Sequence, residues 1–306
     1  MVENVLPSFL VLGLGALARR LGLLSTESAA GLNRLTANVA LPALLVLTIG
    51  TSPLATGFSA PLAVVTTFLV VAMAVASFAG ARACGLPRAQ RGVFSQAAFR
   101  GNLAYMAFPV ILGTLGQEGL RRAALTSAVL IPVMNLLAVV VLQVARGKGS
   151  GWGKLVWSVV TNPLVVGANG GLVLSAAGVE LWGWLARTLR IVADFALPAA
   201  LLALGAQLEV EKVRDVRWPL AFAVTAKLVV LPAAGFFLLR AWGLSPLDVQ
   251  VGVLLLAAPT AVASYPIAVE MGGDSRLAGG AVLVTTALAF PAFVLWGLAC
   301  GLGLAR

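Results

Sequence analysis

The sequence predicts an all-α polytopic membrane protein: ten transmembrane helices set out as two inverted five-helix repeats, with helices four and nine broken where they cross. Three observations predict it. Hydrophobic residues make up 60% of the 306 positions and charged ones only 10%, with a mean hydropathy of +1.00, far from the composition of a soluble domain. Apolar windows of roughly 20 residues recur along the whole chain, each long enough to cross a hydrocarbon core of about 30 Å. Proline-centred phrases of the first half return in the second at a constant interval. Period-two alternation is nowhere sustained, which disfavours a lipid-facing barrel.

In order, the predicted spans lie near 4–22, 27–50, 61–84, 88–114, 118–144, 154–177, 182–208, 216–241, 246–272 and 276–303. The first begins at Glu3 and has neither a basic leader nor a small-residue cleavage site before Arg19 and Arg20, so it reads as a retained helix. ANVALPALL in the second places Pro42 inside an apolar run, where a proline ring costs about 3 kcal/mol. In the fourth, Arg100, Gly101 and Asn102 precede Tyr105 and Pro109. The hydrophilic stretch RGKGSGWGK follows the fifth span. It divides the chain into a first repeat, 1–145, a linker, 146–153, and a second repeat, 154–306. TNPLVVG, with Asn162 before Pro163, shapes the sixth span, and ADFALPAALLALG in the seventh carries Asp194 and Pro198. Lys227 lies within the eighth, and Pro259, Thr260, Ser264, Tyr265, Pro266 and Glu270 punctuate the ninth.

Ala37, Asn38, Ala40, Leu41, Pro42 and Ala43 recur as Ala193, Asp194, Ala196, Leu197, Pro198 and Ala199. Within one residue of that same interval, Pro109 and Gly116 recur as Pro266 and Gly273. Five spans per half force the second half into the membrane upside down, the inverted repeat of secondary transporters, whose sites lie near the midplane on broken helices.

The net charge of +10 reads as topology rather than as nucleic-acid binding. Alternating the loops puts Arg19, Arg20, Arg34, Arg82, Arg88, Arg91, Arg146, Lys148, Lys154, Lys212, Arg214, Arg217 and Arg276 on one side. Arg121, Arg122, Arg187, Arg190, Arg240 and Arg306 fall on the other. The richer side is expected in the cytoplasm, with the 146–153 linker, and both termini outside. Trp152, Trp157, Trp182, Trp184, Trp218 and Trp242 sit near span ends, as interfacial anchors do.

The chain has no histidine, and its two cysteines, Cys84 and Cys300, are far apart, so no metal site, disulfide or resident cofactor is expected. Coupling to a proton would then need a carboxylate or a lysine. No HExxH, GxSxG or paired-aspartate motif is present, which argues against an enzyme.

Paired helix breaks at mid-depth present half-helix N-termini, which suit an anion. The expected substrate site is therefore built from Gly101, Asn102, Tyr105, Pro109, Pro259, Ser264, Tyr265 and Pro266, with Pro42 and Pro198 as the matched breaks. Four charges inside spans stand out, since each costs roughly 2.5 to 3.5 kcal/mol on insertion scales. Arg100 is read as an anion contact or a cap on freed carbonyls, and Lys227 as a fixed or titrating cation. Asp194 is read as a cap or proton carrier, and Glu270 as a cation ligand or a side chain snorkelling to water. Thr126, Ser127, Asn135, Gln143, Asn162, Asn169 and Gln207 read as interhelical glue.

At NVALPALL, FRGNLAYMAFPVILG, TAKLVVLP and AAPTAVASYPIAVEMGGD the chain resembles the auxin efflux carrier family, which includes plant PIN-type exporters and bacterial malonate carriers. The resemblance covers the whole chain in the form without a large central loop. It implies a fold like that of bile acid sodium symporters, with spans 1, 2, 6 and 7 as scaffold and spans 3–5 and 8–10 as a mobile elevator. It also implies a homodimer, a bacterial inner membrane, and Asn102, Pro109, Pro259, Ser264 and Pro266 at the crossover. Leu103, Tyr105 and Phe108 replace the glycine-rich GFxGxP pattern of many members. The reading is a carrier for a small organic anion such as a carboxylate, in contact with lipid and coupled to a proton or sodium if to any ion. The alternatives are a sodium-coupled uptake symporter of the bile acid type and a membrane sensor on the same fold.

Overall fold

The computed structural model describes residues 1–51, 57–147, 153, 157, 160–179, 181–207 and 216–303. Lys148, Lys154, Lys212, Arg214, Arg306, Trp152 and most of the expected linker lie outside the described residues. Among those described, helices make up the regular structure and no strand forms; one isolated bridge is the only extended pairing.

The first half runs α1 (Val2–Arg20), α2 (Thr26–Leu35), α3 (Leu41–Gly50), α4 (Ala60–Ala83), α5 (Arg88–Phe99) and α6 (Phe108–Arg146). The second runs α7 (Pro163–Ala176), α8 (Gly183–Gln207), α9 (Arg217–Thr225), α10 (Leu231–Ala241), α11 (Pro246–Ala257), α12 (Ser264–Glu270), α13 (Ser275–Ala287) and α14 (Ala289–Ala299). Caps fix several starts. The side chains of Ser25, Ser59, Asn162, Ser245 and Asp274 accept from backbone N–H groups that open α2, α4, α7, α11 and α13, satisfying donors no helix can.

Among the described residues, six stretches are long and apolar enough to cross a membrane: Val2–Arg20, Thr26–Gly50, Ala60–Ala83, Leu103–Arg146, Gly183–Gln207 and Arg217–Ala241. A seventh follows if α13 and α14, bent by 53°, count as one span. The remaining expected spans are shorter or divided. The fourth is interrupted at residues 100–102 and the ninth at 258–263, and in the sixth α7 begins at Pro163. α6 covers the second part of the expected fourth span together with the fifth, bent at Gly116, whose φ of 65° and ψ of −162° interrupt the helix.

Pro42 and Pro198, expected to break helices two and seven, do not. Between α2 and α3 the residues Thr36–Ala40 form a π-helical stretch, ending two positions before Pro42. Such widening removes the need for a proline N–H and relieves the clash of its ring with the preceding turn. Leu103–Ala107 does the same ahead of Pro109 and Ala226–Val230 ahead of Pro232. Pro198 sits inside a continuous α8, a substitution that buried membrane helices tolerate.

Small residues set the closest helix contacts. α1 meets α8 so tightly that a Cβ on Gly15 would collide with the Leu202 carbonyl, and one on Gly205 with the Leu12 carbonyl. α3 meets α7 in the same way: Cβ atoms on Gly167 and Gly171 would lie 2.7 Å from Pro42 Cα and 2.9 Å from Ile49 Cβ. Backbone approach of this kind drives association where no hydrophobic effect operates between helices. The continuous core packs α4, α5, α6, α10 and α11 around Phe99, Met106, Phe108 and Leu256, all fully buried. An ion-pair network pins α6 to α11: Arg122 Nη1 lies 2.7 Å from Asp248 Oδ1, Ser59 Oγ donates to Asp248 Oδ2 at 3.2 Å, and Glu118 braces Arg121 and Arg122.

Candidate functional site

The interruptions at 100–102 and 258–263 are local consequences of glycine and proline. α5 stops at Phe99 and Arg100 turns extended at φ −80°, ψ 100°. Ala258, ahead of Pro259, is extended at φ −54°, ψ 136°, as a residue before proline prefers. The freed backbone groups satisfy each other. Asn102 N–H donates to the Pro259 carbonyl at 2.7 Å and Ala261 N–H to the Arg100 carbonyl at 3.0 Å, an antiparallel bridge between Gly101 and Thr260. Thr260 fastens it, its N–H donating to Thr285 Oγ1 at 2.9 Å and its Oγ1 to the Ala97 carbonyl at 2.9 Å.

Lys227, fully buried, donates from Nζ to the Leu256 carbonyl at 2.7 Å. Leu256 lies in the last turn of α11, where the helix dipole favours a cation. The ammonium also borders the bridge, since a Cβ on Gly101 would lie 3.5 Å from Lys227 Nζ.

On the bridge opens a cavity of about 580 Å³. It gathers six of the residues expected in the site: Arg100, Gly101, Asn102, Tyr105, Tyr265 and Pro266. No described lining residue is acidic, while Arg19 and Arg100 are both basic. Arg100 Nη2 donates to Asn135 Oδ1 at 2.7 Å, and Tyr105 OH donates to Asn33 Oδ1 at 2.7 Å. Three buried polar atoms at the breaks have no partner: Arg100 Nη1, Asn102 Nδ2 and Ser264 Oγ. Each such orphan costs about 1–3 kcal/mol, so the geometry stores unspent donors beside a cavity.

The other expected residues fall elsewhere. Pro109, Asp194 and Pro198 line a second cavity of about 640 Å³ with Arg121 and Arg190, further along the same helices. Pro259, Ser264 and Lys227 are buried where the two breaks meet and line neither cavity. Pro42 packs on Gly167, and Glu270 is exposed at the end of α12.

A family model described as "Membrane transport protein" matches residues 1–151 and 152–297. The chain belongs to this membrane transport protein family. It is the auxin efflux carrier family that the motifs resemble. A protein of Rhizobium meliloti named "Putative malonate transporter" is 28% identical over 296 residues, covering 93% of this chain and 91% of its own. An uncharacterized transporter of Methanothermobacter thermautotrophicus is 25% identical over 304 residues, 97% of each chain. One of Methanocaldococcus jannaschii is 23% identical over the same share.

For a membrane transport protein, the residues that reading by type passed over matter as much as those it found. Asn135, Asn162 and Gln207, expected as glue, line the cavity, and Asn135 orients the guanidinium beside it. Thr260 carries one hydrogen bond to Ala97 of α5 and one to Thr285 of α13. Both contacts join helices distant in sequence, so no local spacing announces them; the only signal is a lone polar side chain in an apolar run.

Proposed function

We propose that this membrane transport protein is a secondary carrier that moves a small organic anion, a carboxylate, by alternating access, with the substrate held where spans four and nine cross. One observation carries the reading: two interrupted helices bolt together by backbone hydrogen bonds and leave Arg100 Nη1 and Asn102 Nδ2 buried and unpartnered on a cavity whose described lining bears no carboxylate. A planar carboxylate offers oxygens to a guanidinium and an amide at once. The relative named for malonate makes malonate the first compound to try.

Counted with their breaks, the helices fit ten spans in two inverted halves, and the division of the family match near residue 151 supports that count. On this reading spans 1, 2, 6 and 7 form a static scaffold, with the glycine contacts of α1 with α8 and α3 with α7 as its seams, and a dimer forms through it. Spans 3–5 and 8–10 move as an elevator in a bacterial inner membrane, both termini outside. Lys227, on the π-helical stretch Ala226–Val230, rests its Nζ on the last turn of α11 and supplies there the charge that a bound sodium would bring. The test is uptake of labelled malonate and other mono- and dicarboxylates into proteoliposomes, with and without sodium. Anion uptake without sodium supports the carrier; strict sodium dependence turns it into the bile acid type of symporter; binding without any uptake favours a sensor. A bound anion must also raise the unfolding temperature by mass action.

A further inference from the structure

A guanidinium keeps its proton in any protein setting, so the surroundings of Arg100 fix the charge of the empty site. Arg100 is 6% exposed. Its Nη2 is held by a neutral amide, Asn135, and its Nη1 is buried without a partner. Among the described residues no ion pair includes it, and the cavity it lines has no described acidic wall. Across the bridge a second basic side chain, Lys227, is fully buried beside Gly101. The backbone around Arg100 is tied to the other break by two hydrogen bonds, and Asn135 holds one edge of its guanidinium at 2.7 Å. Such a charge is tolerable while the cavity is open to water and strongly unfavourable when the site is sealed within the bilayer.

We propose that the transported anion is the counter-ion Arg100 lacks, and that this protein is therefore an obligatory anion exchanger: the loaded site crosses, the empty one does not. The inference rests on the carrier reading above. A co-transported cation would add positive charge to a site that is already positive, so the driving force for uptake is the gradient of a second carboxylate on the opposite side. Asn135 is the positioning residue: it takes one edge of the guanidinium with an amide oxygen and turns the other toward the cavity without neutralising it.

The experiment is counterflow in proteoliposomes, with labelled malonate outside and either unlabelled malonate or buffer inside. Preloaded vesicles are expected to take up label at least about tenfold faster than empty ones, the scale set by sealing one unpaired charge in a membrane. Equal rates would overturn the exchanger and leave the carrier standing. Arg100→Gln, which keeps amide donors but removes the charge, is expected to bring the ratio of loaded to empty uptake close to one. Should that variant fail to insert, Asn135→Asp provides the guanidinium with a built-in carboxylate and is expected to lower the same ratio. An unchanged ratio in either folded variant overturns the proposal. Absence of uptake for the whole carboxylate panel, preloaded or not, is a different outcome and removes the carrier reading itself.

Discussion

At the scale of single residues, the junction of the two breaks is held by groups whose removal has separable effects. Asn102 contributes its backbone to the bridge and its side-chain amide to the cavity. Asn102→Ala is therefore expected to abolish malonate uptake while the protein still inserts and elutes as a folded species in detergent. Normal uptake by that variant would count heavily against the site. Thr260→Val keeps the shape and the backbone bridge but deletes the hydroxyl bond to Ala97, and the expected loss is about 1–3 kcal/mol in unfolding. Arg100 and Asn102 were legible as polar residues beside a glycine in an apolar run. That Arg100 leans on Asn135 was not, because the two sit on different helices and sequence spacing says nothing about which faces meet.

Among elements, two devices recur. Each π-helical stretch ends two residues before a proline, at Pro42, Pro109 and Pro232, so the widened turn and the ring are one accommodation repeated. Close glycine packing is the second. Gly205→Leu would drive a branched side chain into the Leu12 carbonyl, and since overpacking costs typically 1–3 kcal/mol, reduced yield and a lowered unfolding temperature are expected. Gly13→Leu, on the same helix pair but with open space around its Cα, is the control and should behave like the parent. Hydropathy predicted helices at these places correctly, and the proline phrases located the two true interruptions. The same phrases misled at Pro42 and Pro198, where a proline alone does not decide between a break and a bulge. That choice depends on whether the neighbouring backbone can widen, which sequence does not display.

For the molecule as a whole, the question is which face the cavity opens on and whether that alternates. Arg19, which lines it, belongs to the side assigned to the cytoplasm. With Cys84 and Cys300 replaced by serine, a cysteine at Asn33 is expected to react with a membrane-impermeant thiol reagent from that side only and to be shielded by bound substrate. Reaction from the opposite side would reverse the assigned topology. The all-helical membrane architecture was legible at this scale from composition alone, whereas the cavity was not, because its walls come from residues 19 to 283 and only folding brings them together.

The junction of the two breaks is made from main chain, and that separates architecture from selectivity. Peptide groups hold Arg100, Asn102, Pro259 and Ala261 in register whichever side chains surround them, so Tyr105 and Tyr265 at the cavity wall can vary without unfastening the bridge. A lineage built on such a clasp is free to change its cargo by substituting a few wall residues, and a designer who wishes to retune this carrier has the same freedom.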